Sequence, residues 1–379
     1  MSDPLWRLFC RFVEADTGVR PGETRVESGD DRLRAFMTGA AGPALEELGA
    51  SLELDEANNL LARFGPETGE ELLFVSYPAT HHGNEMEEPL RPRERDGLWV
   101  GLGASQGKGG LAAVCAAIAR LREQGLDPAG RVAVAVSSEG SSSHASSEVL
   151  YRGFERLPAG AVLVVGTGNA ISLGNRGRAD VVVRVEGRAT HSSAAGPGDN
   201  PIPVVAEVLR RLEAVPAARD EAHPQLGSPS LVAYRLQCGP VAPHTIPAWC
   251  ELVLDRRLLP GEEPDAAVAE IEAALAGLPV TVERAATMLP ALVDPEATVV
   301  RALQAGAEAA LGRRLETLYR RDTFDAGYPC SLGVPTVMCG PSTSDFGGRE
   351  VLGEDAVDPA ALHESAAVFA AAAASLGRE

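Results

Sequence analysis

Three short runs of consecutive apolar residues restrict the fold of this chain more than any other feature of its sequence. They read ELLFVSYP, RVAVAVSS and AVLVVGTG, and the first ends near Tyr77. Apolar runs of this length are typical of strands that are buried on both faces. Between the first two lies GGLAAVCAAIARLREQG, in which apolar residues recur at helical spacing up to a stop at Gly125. Strand, helix and strand joined by short links predict an α/β domain with a mainly parallel sheet.

The pattern changes near Asn175. The segment ADVVVRVEG alternates polar and apolar residues, as a strand with one solvent-facing side does. The order strand, helix, strand, strand, helix, strand closes with PVTVERA and predicts an α+β unit of ferredoxin-like kind. The chain then returns to α/β character. We therefore expect a smaller domain over residues 177–289, inserted into a larger one that comprises residues 1–176 and 290–379.

Composition argues against several classes of partner. The 379 residues carry a net charge of −19 at pH 7, so neither nucleic acid nor an acidic membrane is an expected partner. The first residues contain no long apolar core, which predicts neither a signal peptide nor a spanning helix. The six cysteines are scattered without a Cys-x-x-Cys pair, and we expect buried thiols of a cytoplasmic protein rather than disulfides.

Four segments carry a resemblance to a known family: GLGASQGKGGLAA, NRGRADVVVRVEGRATHSS, HTIPAWCELVLDRRLLPGE and GVPTVMCGPS. In these segments the chain resembles the dinuclear zinc peptidases that include aminoacylase, acetylornithine deacetylase, succinyl-diaminopimelate desuccinylase and glutamate carboxypeptidase. The resemblance runs nearly end to end. It implies a catalytic α/β domain with an inserted dimerisation domain, a homodimer, and a small substrate derived from an amino acid.

The same resemblance implies that most ligands of the two zinc ions are missing. The histidine and aspartate of the first metal motif fall on Tyr77 and Ala79, and the bridging aspartate falls on Gln106. A neutral amide oxygen cannot hold two dications together as a carboxylate does. A later acidic ligand falls on Gly166 and the last histidine on Phe346. We therefore expect neither a metal ion nor another cofactor.

Several carboxylates fall near the former metal positions. Glu139 is the only acid in SSEGSSS, where the family has a pair of glutamates, and DTFDA contains Asp322 and Asp325. Asp345 stands next to the last former ligand position. Converging carboxylates without metal can bind a cation or shift one another's pKa for proton transfer. The alternative is that they lie on a solvated rim.

Residues in the middle of the chain match the family's substrate contacts. His191 in GRATHSS falls where a histidine reaches a partner subunit's site and polarises the substrate carbonyl. Arg257 falls where an arginine grips a substrate carboxylate through two hydrogen bonds. His244 replaces an asparagine, and Tyr77 and Gln106 are expected to contact substrate. The alternatives are exposed loop positions for the histidines and an interface ion pair for Arg257.

Two other histidine patterns are weaker candidates. THHGNE places His81, His82 and Glu85 together, but adjacent histidines on a loop rarely ligate one ion well. His144 follows a serine-rich run that lacks a Gly-x-Ser-x-Gly turn, which disfavours a serine hydrolase.

We hypothesise a metal-independent enzyme that acts on an amide derived from an amino acid or on a related carboxylate. The reaction would be hydrolysis, acyl transfer, cyclisation or elimination. His191 and Arg257 would hold the substrate, and Glu139, Asp322 or Asp325 would transfer protons. The alternative is a non-catalytic relative that binds a ligand or a partner. A third hypothesis is a zinc amidohydrolase with substituted ligands, since the fold alone does not decide function.

Overall fold

The structure is a computed structural model that describes residues 3–20, 23, 26–65, 72–80, 86–138, 143–215, 222–342 and 355–376. The chain divides into two compact units. Unit 1 consists of Met1–Gly174, Leu292–Tyr319 and Asp325–Glu379, and unit 2 consists of Asn175–Ala291 and Arg320–Phe324.

The helices and strands predicted from the sequence occur in the predicted order, and further short elements lie between them. The strands are β1 Ser51–Leu54, β2 Leu60–Arg63, β3 Leu72–Ser76, β4 Arg93–Arg95, β5 Leu98–Val100, β6 Val132–Val136, β7 Gly160–Leu163, β8 Ile171–Asn175, β9 Gly177–Glu186, β10 Thr190–His191, β11 Ser230–Gly239, β12 Thr245–Ile246, β13 Trp249–Leu258, β14 Val280–Met288, β15 Ala291–Leu292, β16 Thr317–Arg320, β17 Thr336–Met338 and β18 Ala356–Val357. The α-helices are α1 Pro4–Val13, α2 Asp31–Phe36, α3 Gly42–Glu47, α4 Gly107–Glu123, α5 Ala145–Arg152, α6 Ile202–Leu212, α7 Pro264–Ala274, α8 Thr298–Leu311, α9 Gly327–Ser331 and α10 Pro359–Ser375.

The large sheet has the order β1-β2-β6-β3-β7-β17-β8-β15, with β16 paired to β8. Its four central strands, β6, β3, β7 and β17, run parallel to one another. On either side of this group, β2 pairs antiparallel with β6 and β8 pairs antiparallel with β17. Every residue of β3, β6 and β7 is buried, as the three apolar runs predict. Crossover connections bring the carboxyl ends of these parallel strands to one edge.

Helices α4, α8 and α10 pack with this sheet in the core of unit 1. Helix α4 ends shortly before Gly125, whose φ of +73° is easily adopted by glycine. The Ala-rich helix α10 brings Phe369 to 5.0 Å from Phe74 of β3, measured between ring centroids. In the part of the chain that the structure describes, no helix is long and apolar enough to cross a membrane.

Unit 2 contains a four-stranded antiparallel sheet in the order β11-β13-β9-β14. The inward residues of β9 and β13 pack with α6 and α7 in a separate small core, and that core includes Val181, Val183, Val208, Leu254 and Ile271. This is the ferredoxin-like arrangement expected from the element order. The α/β fold with an inserted α+β domain is therefore confirmed. Strands β11 and β14 form the two edges of the sheet.

The expectation that all six cysteines are free thiols is wrong for two of them. Cys238 on β11 and Cys250 on β13 lie opposite each other in the strand register, and they form a disulfide with a Cα–Cα distance of 4.1 Å. Their short separation along a hairpin brings them together, which a search for Cys-x-x-Cys pairs does not detect. The other four, which are free, are Cys10, Cys115, Cys330 and Cys339.

Candidate active site

The carboxyl ends of β3 and β6 meet the amino end of α4. Ser137 donates its main-chain N–H to the Ser76 carbonyl at 2.8 Å, and the Ser76 hydroxyl donates to the Gly107 carbonyl at 2.7 Å. A methyl group on Gly107 would stand 1.7 Å from the Tyr77 carbonyl oxygen, so only glycine fits. This contact places Gln106, the preceding residue, near Tyr77. Ligands of open α/β sheets bind at this edge.

Gln106 contacts a buried carboxylate, Asp355. The Asp355 oxygens accept the Gly103 N–H at 2.6 Å, the Ser105 N–H at 2.7 Å, the Ser105 hydroxyl at 2.8 Å and Gln106 Nε2 at 3.1 Å. Burial raises the pKa of Asp355, and the hydrogen bonds from Ser105 and Gly103 act against that rise. Four donors take up the usual acceptor positions of one carboxylate. Asp355 therefore organises the loop before α4.

Lys108 is the only lysine of the sequence, and it is fully buried. Its Nζ donates to the Ala15 carbonyl at 2.7 Å and lies 5.9 Å from the centroid of the Phe36 ring. Burial lowers the pKa of Lys108 to about 7, although the charges of Asp355 and Asp16 favour the ammonium form. Lys108 ties the start of α4 to the segment after α1.

A histidine–aspartate pair lies at the amino end of α5. His144 Nδ1 is hydrogen-bonded to one oxygen of Asp325, and the Ser147 hydroxyl donates to the other oxygen. All three side chains are buried. Burial raises the pKa of Asp325, and the hydrogen bonds from His144 and Ser147 oppose this rise. A carboxylate bound at Nδ1 orients the imidazole and makes Nε2 the nitrogen that exchanges protons.

Aromatic side chains surround this pair. The ring centroid of Tyr328 lies 5.6 Å from that of His144, and the Tyr151 ring lies 6.4 Å from the Tyr328 ring. The buried Tyr77 hydroxyl lies near the Asp325 main chain, but it completes no hydrogen bond with any residue that the structure describes. Burial raises the pKa of Tyr77 well above its usual range, and the charge of Asp325 adds to the effect. Tyr77 is therefore a protonated donor that lacks an acceptor among the described residues.

A second network holds the start of α5 against the sheet. Asn59 Oδ1 accepts the Ser138 N–H at 2.9 Å and the Ser137 hydroxyl at 3.1 Å. Asn59 Nδ2 donates to the Ser146 carbonyl at 2.9 Å. Because Asn59 bonds to residues after β6 and also to α5, it positions His144 at the carboxyl edge of the sheet.

In unit 2, Arg257 is held by groups of the chain itself. Its Nη1 donates to Thr323 Oγ1 and its Nη2 to Asp255 Oδ2, each at 2.7 Å. The guanidinium remains partly exposed. This geometry orients the predicted carboxylate-binding arginine.

The two carboxylates of DTFDA fall in different units. Asp325 belongs to unit 1, whereas Asp322 belongs to unit 2. Arg320 donates from Nε to Asp322 at 2.7 Å, so the Asp322 carboxylate is already neutralised by an ion pair. The structure thus gives these two predicted acids different surroundings.

Strands β10 and β12 bring His191 and His244 together in unit 2. The Ser192 N–H donates to the His244 carbonyl at 2.8 Å, and the two imidazole centroids lie 6.0 Å apart. His191 Nδ1 lies 2.8 Å from the Ser193 hydroxyl. Both histidines are exposed. The sequence analysis predicted that both histidines contact substrate, and in the structure the two rings lie next to each other.

Some predicted positions lie outside the described residues, and the predictions about them stay predictions; these are His81, His82, Glu85, Glu139, Asp345 and Phe346. Sequence reasoning missed the pairing of His144 with Asp325 and the contact of Asp355 with Gln106. His144 directly precedes the helical residues ASSEVLYR, which marks a helix start. Nothing in the sequence linked it to an aspartate 181 positions later.

The described residues at the former zinc positions do not suit a dinuclear zinc site. The Tyr77 phenol keeps its proton, Gly166 has no ligating side chain, and the Gln106 amide nitrogen is bound to Asp355. The Asp355 carboxylate is itself saturated by donors. Among the residues that the structure describes, no three His, Cys, Asp or Glu side chains converge on a point where a metal could bind.

The structure combines a parallel sheet that has a polar site at its carboxyl edge with an inserted ferredoxin-like domain, and solved peptidases share this fold. The fold aligns with the M20 family metallo-carboxypeptidase Sso-CP2 of Sulfolobus solfataricus at a TM-score of 0.78 and 16% identity, over 98% of this chain and 99% of that one. It aligns with human carnosine dipeptidase 1 at a TM-score of 0.75 and 16% identity, over 97% and 96%.

Residues 173–281 match the family model described as a peptidase dimerisation domain. The chain is 26% identical over 356 residues to succinyl-diaminopimelate desuccinylase of Pseudomonas fluorescens, and the match covers 89% of each. It is 25% identical over 354 residues to the protein of the same name from Stutzerimonas stutzeri, again over 89% of each. Over most of its length the chain thus resembles M20 peptidases, as the four segments predict.

Proposed function

We propose that this chain is a hydrolase for an amide that is derived from an amino acid, and that it works without the zinc pair. The proteins it resembles are named as a desuccinylase, a carboxypeptidase and a dipeptidase. Those names favour hydrolysis among the four reactions considered from the sequence.

The observation that carries the proposal is the buried His144–Asp325 pair beside the Tyr77 hydroxyl, which has no hydrogen-bond partner in the described part of the chain. A histidine that is oriented by a carboxylate can act as a general base. A buried hydroxyl that lacks an acceptor is suited to donate to a substrate oxygen. Both lie in unit 1, at the edge where its parallel strands end.

In the proposed reaction His144 Nε2 accepts a proton from water as the water oxygen attacks the amide carbon. Asp325 stabilises the imidazolium that forms. The Tyr77 hydroxyl donates to the carbonyl oxygen as it becomes negative. The imidazolium then returns its proton to the leaving nitrogen, the carbon–nitrogen bond breaks, and a carboxylic acid and an amine are released. Glu139 remains a second candidate base.

The types of side chain at the former ligand positions support the proposed metal independence. A dinuclear zinc site needs carboxylate and imidazole ligands that are free of other partners. Tyr77 and Gln106 cannot replace them, and Asp355 is engaged by four donors. The proposed enzyme therefore lowers the barrier through proton transfer and hydrogen bonding.

The proposal also includes the assembly. Arg257 would bind the substrate carboxylate, and His191 and His244 would approach the substrate of a partner subunit in a homodimer. The match to a dimerisation domain supports such pairing. The cytoplasmic location expected from the sequence belongs to the same proposal.

The test is a turnover screen of N-acetyl and N-succinyl amino acids and of dipeptides, with a chelator present. Release of free amine, followed by NMR, reports hydrolysis. We expect His144→Gln to lower kcat by roughly 10²–10⁴-fold, since the amide cannot accept the proton. His363→Gln is the matched control, because His363 pairs with Asp3 at a partly exposed position. It should leave kcat unchanged.

Other outcomes of these experiments would contradict the proposed hydrolase or its mechanism. Saturable binding of panel compounds without turnover of any would support the non-catalytic relative. Turnover that disappears with the chelator and returns with zinc would support the zinc amidohydrolase. Equal activity of His144→Gln and wild type would remove His144 from the mechanism.

A further inference from the structure

Arg176 is a buried cation that has no anionic partner among the residues described. It is 8% exposed, and it donates from Nε and Nη2 to the main-chain carbonyl of Leu226, from Nε at 2.8 Å. In the part of the chain that the structure describes, no carboxylate forms an ion pair with it, and the neighbouring charges that act on it are positive. A buried charge that bonds only to a neutral group is unfavourable unless an anion completes its surroundings.

Two further arginines approach Arg176. Burial lowers the pKa of Arg176, and the charges of Arg321 and Arg257 lower it further. A methyl group on Gly227 would lie 3.1 Å from Arg176 Nη2 and 3.7 Å from Arg321 Nη2, so these two nitrogens flank the same glycine. Gly227 has a φ of +72°, which further restricts this position to glycine.

Hydrogen bonds within unit 2 hold the three arginines together. The Arg176 N–H donates to the Arg320 carbonyl at 3.3 Å, which places the segment containing Arg321 against it. Thr323 in the same segment accepts from Arg257 Nη1. In addition, the end of β13 that carries Arg257 pairs with the start of β9, directly after Arg176.

The positive charge of this group is incompletely balanced. Arg257 is paired with Asp255. Arg321 is exposed and, among the residues described, has neither an ion pair nor a hydrogen bond, because the adjacent Asp322 is bound to Arg320. Among the residues that the structure describes, these three guanidinium groups share one carboxylate, which leaves a net charge of about +2 on the described group, since arginine stays protonated in proteins.

We propose that Arg176, Arg257 and Arg321 form a binding site for a compact dianion, such as a dicarboxylate or a phosphoryl group. The guanidinium fork binds planar or tetrahedral oxyanions through paired hydrogen bonds. A dianion matches the uncompensated charge, whereas a single carboxylate leaves one positive charge unpaired. Arg321 at the exposed rim admits the ligand, and Arg176 forms the buried floor.

This inference deepens the proposed function. Only one part of it, the statement that the bound dianion is part of the substrate, rests on that proposed function. The binding itself does not depend on turnover. A substrate for this chain would then carry a second negative charge in addition to the carboxylate assigned to Arg257.

Isothermal titration of the full-length protein in a phosphate-free buffer tests the site with three probes: inorganic phosphate, succinate and propionate. We expect phosphate or succinate to bind at least roughly tenfold tighter than propionate. The reason is that one additional charge-assisted hydrogen-bonded pair raises the affinity by about tenfold or more. Tight binding of phosphate alone would identify a phosphoryl site, and tight binding of succinate alone a dicarboxylate site. Equal affinity for all three probes would overturn the proposal.

Arg321→Gln is the main variant, since the residue is exposed and its loss does not threaten folding. It should weaken binding of the dianion roughly tenfold and leave propionate binding nearly unchanged. Arg313→Gln is the control, because Arg313 is a surface arginine of unit 1 that pairs with Glu364. Unchanged dianion binding by Arg321→Gln would also overturn the proposal. Dianion binding without turnover of any amide would leave this site standing and remove the proposed hydrolysis.

Discussion

At the scale of single residues, buried polar groups with unusual surroundings mark the site. The Tyr77 hydroxyl lacks an acceptor among the residues described, Asp325 is buried against His144 and Ser147, and burial lowers the pKa of Lys108. Each arrangement is unfavourable for stability by itself. Groups of this kind are common at functional sites, where stability is given up for chemistry.

Tyr77→Phe separates stability from function. The substitution removes a buried hydroxyl that has no partner among the residues described, so the free energy of unfolding should stay equal or rise by about 1 kcal/mol. If Tyr77 donates to the substrate oxygen, kcat should fall by about 10²-fold. Urea denaturation and the turnover assay measure the two effects. A variant with unchanged kcat would show that Tyr77 only packs against its neighbours.

Lys108→Met should change how stability depends on pH. The pKa of Lys108 is lowered from 10.5 to about 7 in the folded protein. Between these values the unfolded chain holds a proton that the folded chain has released, so the wild-type free energy of unfolding should rise with pH. The rise attributable to Lys108 is at most about 1.4 kcal/mol per pH unit. Lys108→Met lacks this contribution, so its free energy of unfolding should rise less with pH than that of the wild type.

Urea denaturation of both proteins at pH 7, 8 and 9 tests this expectation. Because the sequence contains a single lysine, a ¹⁵N-lysine NMR titration also reports its pKa directly. Parallel stability curves, or a lysine signal that titrates near 10.5, would contradict it.

At the scale of elements, the apolar runs and helical periodicity were enough to predict the central buried strands and the helix between them. Buried β3, β6 and β7 and the helix ending near Gly125 lie where the pattern places them. The contacts that build the site were not predictable, because they join distant segments. Asp355 contacts Gln106 although the two residues are 249 positions apart in the sequence, and no local sequence pattern predicts such a contact. The hairpin disulfide was missed for a similar reason, since it depends on strand register.

Gly107→Ala tests the contact that places Gln106 at the sheet edge. The added methyl group would collide with the Tyr77 carbonyl, so we expect a loss of about 1–3 kcal/mol or more in the free energy of unfolding. Gly39→Ala is the control, because a methyl group there meets nothing within 4 Å. Its effect should be neutral or slightly stabilising. Thermal and urea denaturation measure the stability of both variants. Equal stability of the two variants would contradict the role given to the close contact at Gly107.

At the scale of the whole molecule, the sequence predicts two domains and a homodimer. The residue types at the former zinc positions were readable once the resemblance was stated, but their present partners were not. Strand β11 is an edge of its sheet, and it exposes Val232, Tyr234 and Leu236 at 55%, 58% and 51%. An exposed apolar edge strand is a natural surface for pairing with a second copy.

Leu236→Lys should therefore weaken the homodimer by at least about tenfold, since it places a charge on the pairing edge. Leu332→Lys, at an exposed position of unit 1, is the control. Sedimentation velocity at micromolar concentration measures both. A monomeric wild type would refute the homodimer and the proposed role of His191 across it. A dimeric wild type with an unaffected Leu236→Lys variant would exclude β11 as the edge.

The central claim is that this chain, which resembles M20 peptidases, works without the zinc pair, and the zinc content of the purified protein tests it most directly. The protein is incubated with excess zinc, desalted, and assayed by elemental analysis. We expect well under one zinc ion per chain, because Tyr77, Gln106 and the saturated Asp355 offer no dinuclear ligand set. Two tightly bound zinc ions per chain would contradict the account.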